Sequence, residues 1–269
     1  MRIDAHHHLW DLSRRPQEWL AELPLINRSF GLDDLPEGFD RTVLVQVLAD
    51  LDETREFLAL AADNPRIAGV VGWVDLTAPD VGDVLDALPA GLVGIRHLVQ
   101  AEPDPRWLLR SDVQRGIRAV GDRGLVYDLL TLPPQLPAAI ELVNAQPNTR
   151  FVLDHLSKPP LATGDLADWA ADLRELAKAP NVVAKLSGLV TEANWDSWSL
   201  ADLRPAVEVA LEAFGPSRLM FGSDWPVCLL AAPYADVTQA AETLTSDLSS
   251  TERAQIFGTT AASVYRLTV

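Results

Sequence analysis

At 269 residues the chain matches the roughly 250 residues of one (β/α)8 barrel, and with 48% apolar and 22% charged residues it can bury a large core, which excludes a disordered chain. Its 38 acidic against 22 basic residues leave a formal charge of −16 with no Lys or Arg run, so nucleic-acid and anionic-membrane binding are excluded as expected roles. The single cysteine, Cys228, excludes an internal disulfide and fits a reducing compartment; with no signal-peptide pattern and no run near the ~18 apolar residues of a spanning helix, the expected location is the cytoplasm.

The first predicted strand, residues 2–7, leads into three adjacent histidines and then an irregular stretch, residues 10–39, of the length found in lids and binding loops. A strand over 42–48 precedes a helix over 53–63, with Asp52 ahead of it as a start signal. The pattern repeats as strand 67–74, helix 81–88, strand 92–98, helix 112–122, strand 125–130 and helix 135–144. It continues as strand 150–155, helix 166–178, strand 181–187, helix 203–214 stopped by Gly215-Pro216, strand 218–222, helix 234–244 and a closing helix 251–265 behind Ser250. Runs such as Val43-Leu44-Val45-Gln46-Val47 are nearly continuous in apolar residues, as expected for strands covered on both faces. Eight strands alternating with helices, with no linker-like composition shift, predict one α/β domain over residues 1–269, a (β/α)8 TIM barrel.

In such a barrel the active site gathers at the C-terminal ends of the strands. Strand one ends in Asp4-Ala5-His6-His7-His8, strand four in Gly94-Ile95-Arg96-His97, strand six in Asp154-His155-Leu156-Ser157-Lys158-Pro159 and strand eight in Phe221-Gly222-Ser223-Asp224-Trp225-Pro226. All five histidines therefore fall on one rim together with Asp224. Side chains alternate along a strand, so His6 and His8 converge on one ligand, while His7 faces the other way to pack behind the barrel or bond to backbone. The strand-to-loop pattern of Ile3-Asp4-Ala5 before and Leu9-Trp10 after argues against a tag remnant.

His6, His8, His155 and Asp224 are the candidate catalytic residues. They are also candidate ligands for a single Zn²⁺ or similar ion that polarises a carbonyl and activates water. The same groups work without metal when a carboxylate takes a proton from water and imidazole or guanidinium groups hold the oxyanion. Sequence leaves both arrangements open. Cys228 reads as a small buried hydrophobe in preference to a thiolate nucleophile.

These residues resemble the amidohydrolase superfamily in their strand-one His-x-His, strand-six histidine and strand-eight aspartate. Asp4-Ala5-His6-His7-His8-Leu9-Trp10, Gly72-Trp73-Val74-Asp75-Leu76, Gly94-Ile95-Arg96-His97 and Tyr127-Asp128-Leu129 are similar to its sugar-lactonase branch. So are Asp154-His155-Leu156-Ser157-Lys158-Pro159 and Gly222-Ser223-Asp224-Trp225-Pro226-Val227-Cys228. The resemblance implies a hydrolase that opens a sugar lactone, with Asp224 directing water onto the carbonyl and the three histidines around it. Many metal-dependent members of the superfamily supply a strand-four lysine or glutamate and a strand-five histidine. Here those places hold Arg96-His97 and Tyr127-Asp128, so no cofactor, or one divalent cation at most, is expected, with Asp128 a conceivable extra ligand.

A sugar lactone needs hydrogen-bond partners and an apolar or aromatic wall. Arg96, His97, Lys158, Trp10 and Trp225 are the candidate substrate-binding residues. Lys185 ranks below Arg96 and Lys158, because its direction depends on an unknown register. Glu192, Trp195 and Trp198 bring acidic and aromatic groups to the same rim, and packing of loops is the preferred reading for the two tryptophans. The alternatives are another hydrolase or a nonoxidative decarboxylase of the superfamily acting on a small carboxylate, and an inert barrel used for binding. The expected partner is a small-molecule lactone, with the chain a monomer or small homo-oligomer.

Overall fold

The computed structural model of the chain describes residues 1–268. The strands are β1 Ile3–His7, β2 Arg41–Val45, β3 Ile67–Gly72, β4 Leu92–His97, β5 Val126–Leu129, β6 Arg150–Leu153, β7 Val182–Leu186 and β8 Leu219–Phe221. They form one parallel sheet in chain order. The ends of that sheet meet just past the strands: Asp224 N donates to His6 O at 2.8 Å, and His8 N donates to Trp225 O at 2.7 Å. The expected (β/α)8 barrel is therefore what the chain adopts.

Helices α1 Leu51–Asp63, α2 Val81–Asp86, α3 Ser111–Asp122, α4 Leu136–Ala145 and α5 Ala167–Leu176 cover the first half of the ring. The rest are α6 Leu189–Glu192, α7 Leu200–Phe214, α8 Tyr234–Leu244, α9 Ser250–Ala254 and α10 Thr260–Val264. Three differences from expectation have local causes. Helix α1 begins ahead of residue 53 because Asp50, not Asp52, caps it, its carboxylate accepting from Asp52 N and Glu53 N. Ser249, not Ser250, caps α9, and the predicted closing helix runs on to Val264 through a π-helical turn over Gln255–Thr259. The short helix α6, absent from the periodicity, is one turn long, too short for a 3.6-residue pattern to register.

Each strand buries both faces. Outward side chains join the helices in the main core, whereas inward ones, including Ile3, Val43, Val71, Val152 and Met220, form a second cluster inside the barrel. Ala261, Val264, Tyr265 and Leu267 belong to that inner cluster, so the C-terminal segment plugs the barrel.

Close helix–sheet contact depends on Gly116 in α3, where an added Cβ would lie 2.2 Å from the Leu76 backbone oxygen. Backbone cannot swing aside as a side chain can, so Gly116→Ala should cost about 1–3 kcal/mol. A thermal melt is expected to show a midpoint lower by roughly 3–10 °C. An unchanged midpoint would mean that α3 moves freely.

Candidate active site

Strand β1 carries an irregularity that sets up the centre. Its pairing with β2 runs Asp4 to Thr42 and then His7 to Leu44, one residue longer on β1 than on β2. The extra residue lets both Ala5 and His6 face the interior: Ala5 joins the inner cluster, and the His6 ring meets groups from β4, β7 and the turn after β6. Gly222 makes room, since a Cβ there would sit 2.6 Å from His6 Cβ. His7 turns away as expected, but its Nε2 pairs with the Thr42 hydroxyl at 3.0 Å instead of with backbone, and burial pushes its pKa down to about 3.

The four predicted residues come together. His6 Nε2 and His8 Nε2 are 3.1 Å apart. Asp224 Oδ1 lies 3.4 Å from His8 Nε2, 3.7 Å from His6 Nε2 and 3.8 Å from His155 Nε2. His8 Nδ1 donates to Val45 O at 2.8 Å, which turns its Nε2 toward Asp224 and His6. His155 is held through Nδ1 by Ser187 Oγ at 2.8 Å.

Two of these residues occupy left-handed backbone. Asp224 has φ +58°, and residues 155–158 form a left-handed turn with φ between +50° and +58°. Such conformations cost about 1–3 kcal/mol for each non-glycine residue and persist only where surroundings enforce them. Here the turn is held by Lys158 N donating to His155 O at 2.8 Å, Trp169 Nε1 donating to Leu156 O at 2.8 Å, and a 2.8 Å bond between Thr131 and Ser157 hydroxyls.

Below the histidines lies a layer of buried charge. Lys185 Nζ, fully buried, donates to Asp128 Oδ2 at 2.6 Å and to His6 Nδ1 at 3.1 Å, and lies 2.9 Å from Asp154 Oδ1. Arg96 Nη1 donates to Asp154 Oδ2 at 3.1 Å and lies 3.3 Å from His6 Nε2. Lys185 and Arg96 both only donate, and a neutral imidazole has one acceptor nitrogen; the shorter contact, Lys185 at 3.1 Å against Arg96 at 3.3 Å, makes His6 Nδ1 the acceptor and puts the proton on Nε2, which faces His8 Nε2.

The electrostatics follow from burial and these contacts. Burial, reinforced by Lys185, pushes the His6 pKa well below its ordinary value, and burial pushes His155 down to about 4 against the pull of Asp224. Burial alone would raise Asp224, but His155, His8 and His6 overcome it and hold the carboxyl below the usual carboxylate range. Asp154 is likewise held low by Lys185 and His6 in spite of burial, whereas burial raises Asp128 to about 6 against the opposing Lys185 charge. At neutral pH the centre is thus an ionised Asp224 beside neutral His6 and His155.

The donor set suits one ion. The His6, His8 and Asp224 atoms are 3.1, 3.4 and 3.7 Å apart. These separations bracket the about 3.3–3.4 Å edge of a tetrahedron with bonds of about 2.0–2.1 Å. Loading it requires the His6 proton to move from Nε2 to Nδ1, where Asp154 Oδ1 lies 3.5 Å away. Asp128, a conceivable extra ligand from the sequence, is engaged with Lys185 and Tyr265 instead.

The remaining predicted residues are spread over the rim. Lys158 Nζ lies 3.5 Å from Glu192 Oε1, and burial raises the Glu192 carboxyl. His97 has both ring nitrogens engaged, with the Trp73 indole at 3.1 Å and Glu102 at 2.7 Å, and stacks on Trp107. Trp225 is 2% exposed and packs edge-on against Phe30. Trp10 donates to Arg28 O and lines a cavity of about 610 Å³ between the 10–34 loop and α1, whose lining holds none of the site histidines. Trp198 packs on the core and donates to Ala231 O, while Trp195 is 42% exposed. Cys228 is a buried hydrophobe whose thiol burial raises well above its ordinary value. Asp154 stands in the strand-six motif without a role assigned from sequence, Tyr265 is not singled out there, and the register left open for Lys185 turns it inward beneath His6.

Comparison with known proteins agrees with this geometry. The family described as "Amidohydrolase" matches residues 3–267. An L-fucono-1,5-lactonase of Burkholderia multivorans is 41% identical, with 99% of this chain and 96% of that one aligned. An L-fucono-1,5-lactonase of Burkholderia ambifaria is 37% identical over 99% of this chain and 96% of its own. A crystal structure of a B. multivorans amidohydrolase with bound zinc superposes with a TM-score of 0.95 at 41% identity, covering 100% of both chains. In every described helix, length and apolarity fall short of a membrane span. With a family match over nearly its whole length and the histidine–aspartate centre in place, the chain belongs to the amidohydrolase family.

Proposed function

We propose that the protein hydrolyses a sugar lactone to the free acid, with L-fucono-1,5-lactone as the leading substrate and Asp224 as general base. The observation that carries the reading is an ionised Asp224 whose Oδ1 sits 3.4–3.8 Å from three imidazoles at the barrel mouth. The two relatives named L-fucono-1,5-lactonase supply the substrate class.

Asp224 takes a proton from water as the water oxygen bonds to the lactone carbonyl carbon. The carbonyl electrons move onto oxygen, which imidazole N–H groups stabilise. Collapse of that oxyanion breaks the ring C–O bond, and the proton held by Asp224 passes to the leaving alkoxide, so the base is regenerated. His6, His8 and Asp224 would hold a divalent ion, which when bound polarises a carbonyl and acidifies water. The residues themselves orient the water and keep the base ionised.

The product acid releases one proton at neutral pH, so a pH-indicator screen of 1,5- and 1,4-aldonolactones tests the proposal. Fastest acid release is expected from L-fucono-1,5-lactone or a lactone sharing its ring stereochemistry. No release above the uncatalysed rate across the panel would overturn it.

A further inference from the structure

We infer that Tyr265, delivered into the barrel by the C-terminal segment, is a positioning residue for the histidine centre, holding Lys185 against His6 by way of Asp128. The inference rests on the reading of His6 as part of the active centre.

Tyr265 follows α10 and lies 1% exposed within the inner cluster, where the C-terminal segment plugs the barrel. Its hydroxyl donates to Asp128 Oδ2 at 2.7 Å, the same oxygen that accepts from Lys185 Nζ at 2.6 Å. Asp128 Oδ1 has no hydrogen-bond partner among the described residues. The Asp128 carboxylate therefore depends on two donors at one oxygen, and Tyr265 is one of them. Lys185 in turn reaches His6 Nδ1 at 3.1 Å, with its Nζ 5.5 Å from the Tyr265 ring centroid.

The chain of contacts has a specific consequence. The Lys185 contact makes Nδ1 the acceptor and directs Nε2–H of His6 toward His8 and the reacting volume. Without the tyrosine hydroxyl, the Asp128 carboxylate draws more strongly on Lys185, its one remaining donor. The ammonium then shifts from His6, and the ring samples both tautomers.

Tyr265→Phe keeps the ring and its packing while removing the hydroxyl. Its kcat for lactone opening is expected to fall about tenfold with KM unchanged, as for other outer-shell partners. In chelator-treated protein, histidine ring ¹⁵N spectra should change from one His6 tautomer to a mixture. Asp128→Asn removes the charge that draws on Lys185, so the double variant Tyr265→Phe with Asp128→Asn should recover the single His6 tautomer; a mixture in the double variant would overturn the inference, and that variant decides the matter if Tyr265→Phe alone does not fold. Leu267→Ala, which loosens the same plug without a polar link, should lower the melting midpoint and leave the His6 pattern alone. A wild-type His6 pattern and kcat in Tyr265→Phe would overturn the inference, as would an equal change in Leu267→Ala. If the wild-type protein opens no lactone, the lactonase reading fails by itself, and the ring spectra alone support or overturn the positioning role.

Discussion

Asp224→Asn is expected to lower kcat for lactone opening by about 10³-fold while leaving the fold intact, within the 10²–10⁴ range of a lost general base. The substitution is clean for two reasons. Residue 224 sits at φ +58°, and asparagine tolerates left-handed backbone better than any other non-glycine residue, so the turn after β8 is retained. The surrounding imidazoles, His6 and His155, are neutral at working pH, so replacing the carboxylate by an amide strands no buried positive charge beside it. Alanine would instead mix the loss of the base with backbone strain. Steady-state kinetics with a circular-dichroism melt as control decides the point: turnover within tenfold of wild type would rule out Asp224 as the base.

The parts of this site that the sequence made legible are those that local geometry dictates. Period-two alternation placed His6 and His8 together and sent His7 to Thr42, and polar residues closing apolar runs marked His155 and Asp224. What stayed hidden depends on which residues meet across the barrel. Lys185 occupies an apolar strand, and only strand register decides that it points inward beneath His6 and not outward to the helices. The β1 bulge that turns both Ala5 and His6 inward leaves no mark in composition. Tyr265 lies far from Asp128 in the chain, and the one available signal was a polar aromatic residue at the end of the terminal helix. The packing of the aromatic residues was equally hidden: Trp225 and Trp10 sit beside site motifs, and Trp225 packs on Phe30 while Trp10 lines a cavity under the 10–34 loop, where a large apolar ring gains from burial.

Removal of the Lys185 charge should be the most damaging single change to stability. Lys185→Met roughly conserves length and apolar volume, but it leaves Asp128 and Asp154, both fully buried, without the ammonium that lies 2.6 and 2.9 Å from them. Arg96 still serves Asp154, whereas Asp128 retains only the Tyr265 hydroxyl. Breaking a buried pair in this way costs about 3–5 kcal/mol, enough to lower a melting midpoint by roughly 6–20 °C. The loss depends on pH with a defined sign. Asp128 already has its pKa raised to about 6 with Lys185 present, and without that opposing charge it rises further. A carboxylate whose folded-state pKa exceeds its unfolded value binds more protons when folded, so stability falls as pH rises through that window. The deficit of Lys185→Met should therefore be largest near pH 8 and shrink toward pH 5, where Asp128 is protonated and neutral. Urea denaturation of the wild type, Lys185→Met and the double variant with Asp128→Asn at both pH values measures this directly. The double variant should recover much of the loss at pH 8, because no uncompensated charge then remains at position 128. A deficit of equal size at both pH values, with no recovery in the double variant, would show that Lys185 acts by packing alone.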